Sequence, residues 1–208
     1  AAGTQKIGVH YDTPAATEGA PTARSVILVT PDGQRSMNTY LGASVEMDEG
    51  DIDAAAIGAA KILYVEGYLW DTDRLKGAVR KAVAAAKAAG RLVALTLSDA
   101  FCVGRFRAEF IELIETDIDI VFANEAEITS LYETEIFDEA FQNARATGKL
   151  FAITRSEKGA VICQGAAVHL IDAIPGVTVV DTTGAGDQFA AGFLYGVAHG
   201  LGLAVSGR

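Results

Sequence analysis

The sequence predicts an α/β protein, a three-layer α/β/α arrangement with a largely parallel sheet, joined to a small separate β-sheet. Three observations predict it. From Lys61 onward, strand-like and helix-like segments alternate, the pattern of parallel strands linked by helices. The segment before residue 42 is β-rich and contains no helical pattern. Half of the 208 residues are apolar, which is enough for one sizeable core and excludes a disordered composition.

Each element has its own warrant. In TARSVILVTPDGQRSMNTYL, residues 22–41, the runs 25–30 and 36–41 flank Pro31, Asp32 and Gly33, and these are turn-forming residues, so the segment reads as a β-hairpin. Residues 7–11 read as a further short strand. Residues 46–61, EMDEGDIDAAAIGAAK, read as a helix with an acidic first turn, which suits the positive end of the helix dipole. A strand at 62–66 follows, then a helix at 71–89 rich in Ala, Lys and Arg, with Gly90 as its stop. The alternation continues with a strand at 92–97, a helix at 105–115, a strand at 118–122, helices at 125–132 and 137–146, and a strand at 150–154. GAVICQG and AVHLIDA make two short strands around Gly165. A last strand at 177–180 runs into DTTGAGD, and a helix covers 187–200. The composition divides the chain at about residue 42, into a β-rich part at 1–42 and an α/β core at 43–208.

The charge and cysteine content narrow the function classes. With 17 basic and 27 acidic residues the net charge is −10, which repels nucleic-acid phosphates and anionic lipid, so neither partner is expected. A local nest of N–H groups can still oppose that charge for a small anion. Two distant cysteines, Cys102 and Cys163, make no CxxC pair and fit a reducing cytoplasm. No apolar run is long enough to span a bilayer. His10, His169 and His199 are isolated and lack metal-ligand spacing.

The chemistry concentrates in VVDTTGAGDQFAAGF, residues 179–193. Gly184, Ala185 and Gly186 form a turn of small residues between two carboxylates, Asp181 and Asp187. In an open α/β sheet such a turn falls at the carboxyl edge of the strands, where ligands bind. Small residues let a ligand reach backbone N–H groups, and the following helix adds unpaired N–H groups and a partial positive charge. Asp187, at the start of that helix, is then suited to accept a proton from an attacking hydroxyl. By residue type alone the same stretch is also a plain turn with Asp187 as a helix cap. No Lys follows as in a GxxxxGK[ST] phosphate loop, and Phe189 breaks the GxGxxG pattern.

The longer match decides between these. DTTGAGDQFAAGF resembles the DTxGAGDxFxxGF signature of the ribokinase (PfkB) family of carbohydrate and nucleoside kinases and meets every fixed position. ANEAEI, residues 123–128, is similar to that family's NxxE motif at Asn124 and Glu127. ITRSEKGAV, residues 153–161, resembles its TxGxxG segment at Thr154 and Gly159, with Ser156 where Gly is common. ILYVEGYL, LTLSDAF and GQRSMNTYLGAS resemble stretches of adenosine kinases and their bacterial relatives.

The resemblance implies an ATP-dependent kinase that transfers the γ-phosphate to a hydroxyl of a sugar or nucleoside, with ATP and Mg²⁺ bound. It implies Asp187 as the base and Gly184, Ala185 and Gly186 as the anion hole. Asn124, Thr154, Ser156, Gly159 and Asp181 fall on the ATP side. Glu127 falls beside Mg²⁺, acting through water, as a cation that keeps several of its waters allows. Tyr68 and Met37 fall on the acceptor side. The β-rich part at 1–42 corresponds to part of a lid over the acceptor, through which two copies can pair. The chain resembles an internal portion of such a kinase. The Gly-Gly acceptor motif of an N-terminal segment and the C-terminal helices flanking the adenine are absent from it. Two other classes compete: a Rossmann-type oxidoreductase, which needs a GxGxxG and a following acidic residue not found here, and a non-catalytic binding protein on the same fold.

Overall fold

A computed structural model describes residues 6–11, 13–14, 16–33 and 35–208. Its centre is a mixed six-stranded sheet flanked by helices, accompanied by a separate two-stranded antiparallel sheet. The small sheet is the expected hairpin. β1 (Arg24–Val29) pairs with β2 (Arg35–Tyr40), from Arg24 opposite Tyr40 to Val29 opposite Arg35.

The acidic stretch at 46–61 does not make one helix. Asp48 caps a 3-10 turn at Glu49–Asp51, and Asp53 then caps the short helix α1 (Ala54–Ala59), accepting from the N–H groups of Ala55 and Ala56. Short carboxylates that bond nearby backbone N–H groups favour starting a helix over continuing one, so the segment starts twice.

β3 (Ile62–Glu66), β4 (Leu92–Thr96), β5 (Ile120–Asn124) and β6 (Leu150–Thr154) are parallel neighbours. β7 (Ala160–Gln164) and β8 (Ala167–Ile171) extend the sheet antiparallel. The central strands read IVFAN, LFAIT and AVICQ, apolar on both sides because helices cover both faces.

The alternation of side chains divides the core in two. Val93, Leu95, Val121, Phe151 and Ile153 face one layer of helices. That layer holds α2 (Asp73–Ala88), α3 (Ala100–Thr116), α4 (Glu125–Leu131) and α5 (Phe137–Ala146). Ala94, Ile120, Phe122, Leu150 and Ala152 face the other side and meet Ala190 and Phe193 of α6 (Ala185–Ala198). Phe122 and Phe193 meet edge to face at 5.6 Å. Fully burying an aromatic ring of this kind contributes roughly 1.5–3 kcal/mol, so α6 is anchored chiefly by its apolar middle. A last turn, α7 (Leu203–Ser206), packs on α6.

Three further expectations are corrected. The helix expected at 105–115 starts at Ala100, because Asp99 Oδ1 accepts the Cys102 N–H at 2.6 Å, and it kinks at Phe106. Residues 7–11 form no strand; the chain turns at Ile7 and Gly8. Residues 177–180 form no strand either. Their β-branched side chains suit a strand, but no strand among the described residues hydrogen-bonds to them. Val179 packs instead against the hairpin tip, where a Cβ on Gly33 would lie 2.9 Å from Val179 Cγ1.

Candidate active site

β3–β6 run parallel, so their carboxyl ends share one edge of the sheet, and those ends with the segments that follow them carry half of the candidate residues. Asn124 ends β5 and caps α4. Its side-chain oxygen accepts the Glu127 N–H at 2.9 Å. In return Glu127 Oε2 accepts the Asn124 backbone N–H at 3.0 Å, and Oε1 accepts from Nδ2 at 2.7 Å. This reciprocal box holds Glu127 in a site where only 6% of it is exposed. Burial pushes its pKa up to about 7, against the pull of the Asn124 N–H and with a further push from the negative charge of Asp99.

Thr154 ends β6 directly beside Asn124 in the ladder. Ser156 follows at φ +52, and Gly159 at φ +82. At Gly159 the absence of a side chain is required by packing as well as by conformation, since a Cβ there would fall 1.9 Å from the Ile171 carbonyl oxygen.

Gly184 begins α6 in the left-handed region, at φ +78, with no side-chain cap. The Ala185 N–H donates back to the Thr182 carbonyl at 3.2 Å. Among the described residues, the N–H groups of Gly186 and Asp187 have no hydrogen-bond partner. Asp187 is exposed on this first turn. Two donors and a carboxylate therefore face outward together at the positive end of α6, an arrangement that can bind an anion and take a proton beside it.

The Asp187 charge is felt at the end of β3. Glu66 has its pKa raised, by burial first and by Asp187 second. Tyr64 is pushed up to about 12, by burial first, with Glu66, Asp187 and Glu127 adding negative potential. Tyr68, in the 3-10 turn Gly67–Trp70, donates its hydroxyl to the Ser98 carbonyl at 3.2 Å and leaves half of its surface exposed. Ser98 itself stands at φ +72, an uncommon conformation for a residue with a side chain.

Glu66 and Tyr68 at the end of β3, Asp99 after β4 and Glu127 after β5 thus stand along one edge of the sheet, where Asp187 acts on Glu66, and Asp99 acts on Glu127 and Tyr68. Asn124 and Thr154 end β5 and β6 on the same edge. Asp181 lies just outside, accepting the Thr183 N–H at 2.8 Å; the Thr183 hydrogen bonds, with help from Arg35, hold its pKa low. Met37 is exposed on β2, in the other sheet. The tip of that sheet touches the motif loop. Arg35 Nη1 donates to Thr182 Oγ1 at 2.8 Å, and Thr182 donates to the Gly33 carbonyl at 3.3 Å.

Glu66, Asp99 and the Arg35–Thr182 contact do not stand out from the sequence. Glu66 leaves one trace there, a charge ending the apolar run ILYV. Asp99 falls inside LTLSDAF, but the sequence pattern starts the helix at 105 and gives Asp99 no role.

Fold and site together describe a three-layer α/β protein whose candidate residues lie toward the carboxyl edge of its sheet and the first turn of α6. The chain belongs to the PfkB family of carbohydrate kinases, whose family model matches residues 1–208. This bears out the resemblance carried by DTTGAGDQFAAGF. Among solved structures it is similar to the adenosine kinase from Sinorhizobium meliloti, with 48% identity over 100% of this chain and 64% of that one, at a TM-score of 0.96. It is also similar to a probable sugar kinase from Rhizobium etli CFN 42, with 50% identity over 98% of this chain and 62% of that one, at a TM-score of 0.94. Among curated relatives, a ribokinase of Arabidopsis thaliana is 30% identical over 96% of this chain and 52% of its own length. The chain spans about half the length of the curated relatives it matches. No helix among the described residues is long and apolar enough to cross a membrane.

Proposed function

We propose that the full-length protein is a kinase that transfers the γ-phosphate of ATP to a hydroxyl of a sugar or nucleoside. The observation that carries this is the exposed Asp187 on the first turn of α6, next to the unpartnered N–H groups of Gly186 and Asp187. In the proposed reaction Asp187 accepts the proton of the acceptor hydroxyl. The hydroxyl oxygen attacks the γ-phosphorus as the bond to the β-phosphate oxygen breaks, and ADP leaves. The N–H groups hold charge on the transferred phosphoryl, which suits a reaction governed by positioning and electrostatics.

The donor set fits a Mg²⁺ ion that arrives with the nucleotide. Among the described residues no group of three or more His, Cys, Asp or Glu side chains could hold a metal alone. Mg²⁺ commonly binds through one or two carboxylates, substrate phosphates and water, and Glu127, held by Asn124, is the carboxylate proposed here. When bound, the ion offsets phosphate charge. Thr154, Ser156 and Gly159 are proposed to border the nucleotide, and Asp181 to brace the loop.

The half-exposed Tyr68 offers a ring face for a nucleoside base, and the Glu66 carboxylate can accept hydrogen bonds from acceptor hydroxyls. Residues 1–42 are proposed as part of a lid carrying Met37, with residues 43–208 as the core. Support comes from the separate hairpin and its tip contact with the motif loop. The exposed Val26 and Leu28 offer that hairpin a surface for pairing two copies. The first five residues of the lid segment, with residues 12, 15 and 34, lie outside the described residues.

The test is ADP release by the full-length protein with MgATP and a panel of adenosine, ribose, fructose and other nucleosides. Asp187→Asn is expected to lower kcat by about 10²–10⁴ with little change in KM, the range for losing a general base. Turnover within threefold of the unsubstituted protein would remove Asp187 from the role.

A further inference from the structure

Two loops of the site are joined by a cluster that its chemistry does not use. Glu125 is the first residue of α4, between Asn124 and Glu127. Arg155 follows Thr154 at the end of β6. Arg155 faces Glu125 with a fork, Nε to Oε2 and Nη2 to Oε1, both at 3.4 Å. Lys158 Nζ approaches the same carboxylate at 3.4 Å. The Arg155 guanidinium also lies over the Phe137 ring, with Cζ 3.8 Å from its centre, and Phe137 stacks on Phe141. Arg155 and Glu125 are only a quarter and a third exposed, so the attraction is less screened than at an open surface. Burial disfavours the Glu125 charge, yet Arg155 and then Lys158 hold its pKa below the ordinary value.

The loop between has little freedom of its own. The Arg155 N–H donates to the Gly159 carbonyl at 2.8 Å, and the Lys158 N–H to the Arg155 carbonyl at 2.9 Å. Gly159 is wedged against Ile171. On one side the loop is tied to β8, and on the other it is tied to the turn holding Asn124 and Glu127.

We infer that Arg155 is a positioning residue that clamps the loop 154–159 to Glu125, so that the nucleotide-side loop and the Asn124–Glu127 turn present one rigid surface to MgATP. This rests on the kinase reading above. Breaking the clamp uncouples two loops that are each internally tied, and nucleotide binding must then fix their relative placement, which weakens nucleotide affinity and leaves the acceptor side unaffected. Arg155 is not expected to touch the reacting atoms.

The test combines MgATP titration calorimetry on the full-length protein with steady-state kinetics. For Arg155→Met the expected result is an affinity for MgATP at least tenfold weaker, KM for the acceptor within twofold, and melting without nucleotide lowered by no more than about 2–4 °C. Arg155→Lys keeps the charge but loses the fork and the planar stack, and should recover part of the loss. Glu125→Gln, nearly isosteric, should weaken MgATP binding in the same direction even if Arg155→Met fails to fold. The double variant should be no weaker than the worse single one. MgATP affinity within twofold in both single variants would overturn the clamp and leave the kinase reading standing. An unsubstituted protein that binds no MgATP would overturn both.

Discussion

Glu127 and Asn124 hold each other through three hydrogen bonds, at 2.7, 2.9 and 3.0 Å, and this mutual grip keeps a carboxylate buried at the end of a central strand. The consequence is a pH dependence of stability. The folded-state pKa of Glu127, about 7, lies above its ordinary value of 4.5. The unfolded chain therefore releases this proton first. The stability linked to the neutral form is fully present below pH 4.5 and is lost as pH rises through 7. In chelator, the stability difference between Glu127→Gln and the unsubstituted protein is expected to move in favour of the variant between pH 4 and pH 8, by up to about 3 kcal/mol, on top of a constant cost for the acceptor oxygen that Gln lacks. Urea unfolding at the two pH values checks it.

Glu109 has the opposite sign. Its carboxylate receives Lys76 Nζ at 2.7 Å and Trp70 Nε1 at 2.8 Å, and those hydrogen bonds, Lys76 foremost, hold its pKa below 4.5. Its contribution is present above pH 4.5 and lost as pH falls through the lowered folded value. Glu109→Gln is expected to melt about 2–4 °C lower at pH 7, with the gap closing toward pH 3, as thermal scans across that window would detect. Trp70 closes the turn that carries Tyr68, so acceptor KM should rise as well.

Gly184 and Gly159 both have positive φ, Gly184 in the left-handed region and Gly159 at ψ −132 outside it, and substitution should cost them differently. At Gly184 the nearest atom to an added Cβ is Asp187 Oδ2 at 3.9 Å, so Gly184→Ala meets conformational strain alone, about 1–2 kcal/mol. At Gly159 the backbone of Ile171 and Ala173 blocks the methyl, and Gly159→Ala should add roughly 1–3 kcal/mol more or prevent folding. Denaturant titration of both variants separates the two cases; equal losses would contradict it.

Arg35 ties the hairpin to the motif loop through Thr182. Both residues are near the surface, so Arg35→Met should leave core melting within about 0.5 kcal/mol of its original stability. It should make the hairpin several-fold more susceptible to limited proteolysis between residues 24 and 40, read by mass spectrometry of the first cuts.

The strands were legible wherever the apolar run and its flanking turn agreed, and 62–66 and 150–154 fall as read. The failures have two causes, one distant and one local. Residues 177–180 have strand-forming side chains, but a strand needs a hydrogen-bonding neighbour, and that depends on where the rest of the sheet lies. Residues 46–61 have helical composition, but Asp48 and Asp53 each capture backbone N–H groups, an outcome that local competition decides. In the site, Asp187, Asn124 and Glu127 were visible because each sits inside a contiguous pattern. Glu66 was not, because its meaning comes from Asp187, 121 positions away.

The sequence by itself determined the α/β class, the family and the residues of the contiguous motifs, since periodicity and short spacings act over one or two turns of chain. Only the tertiary structure decided which of those residues share an edge, that Gly159 is held by packing against Ile171, and that Arg155 reaches Glu125. These are meetings of segments distant along the chain. They are set by strand order and by the burial of two helical layers, and no local pattern encodes them.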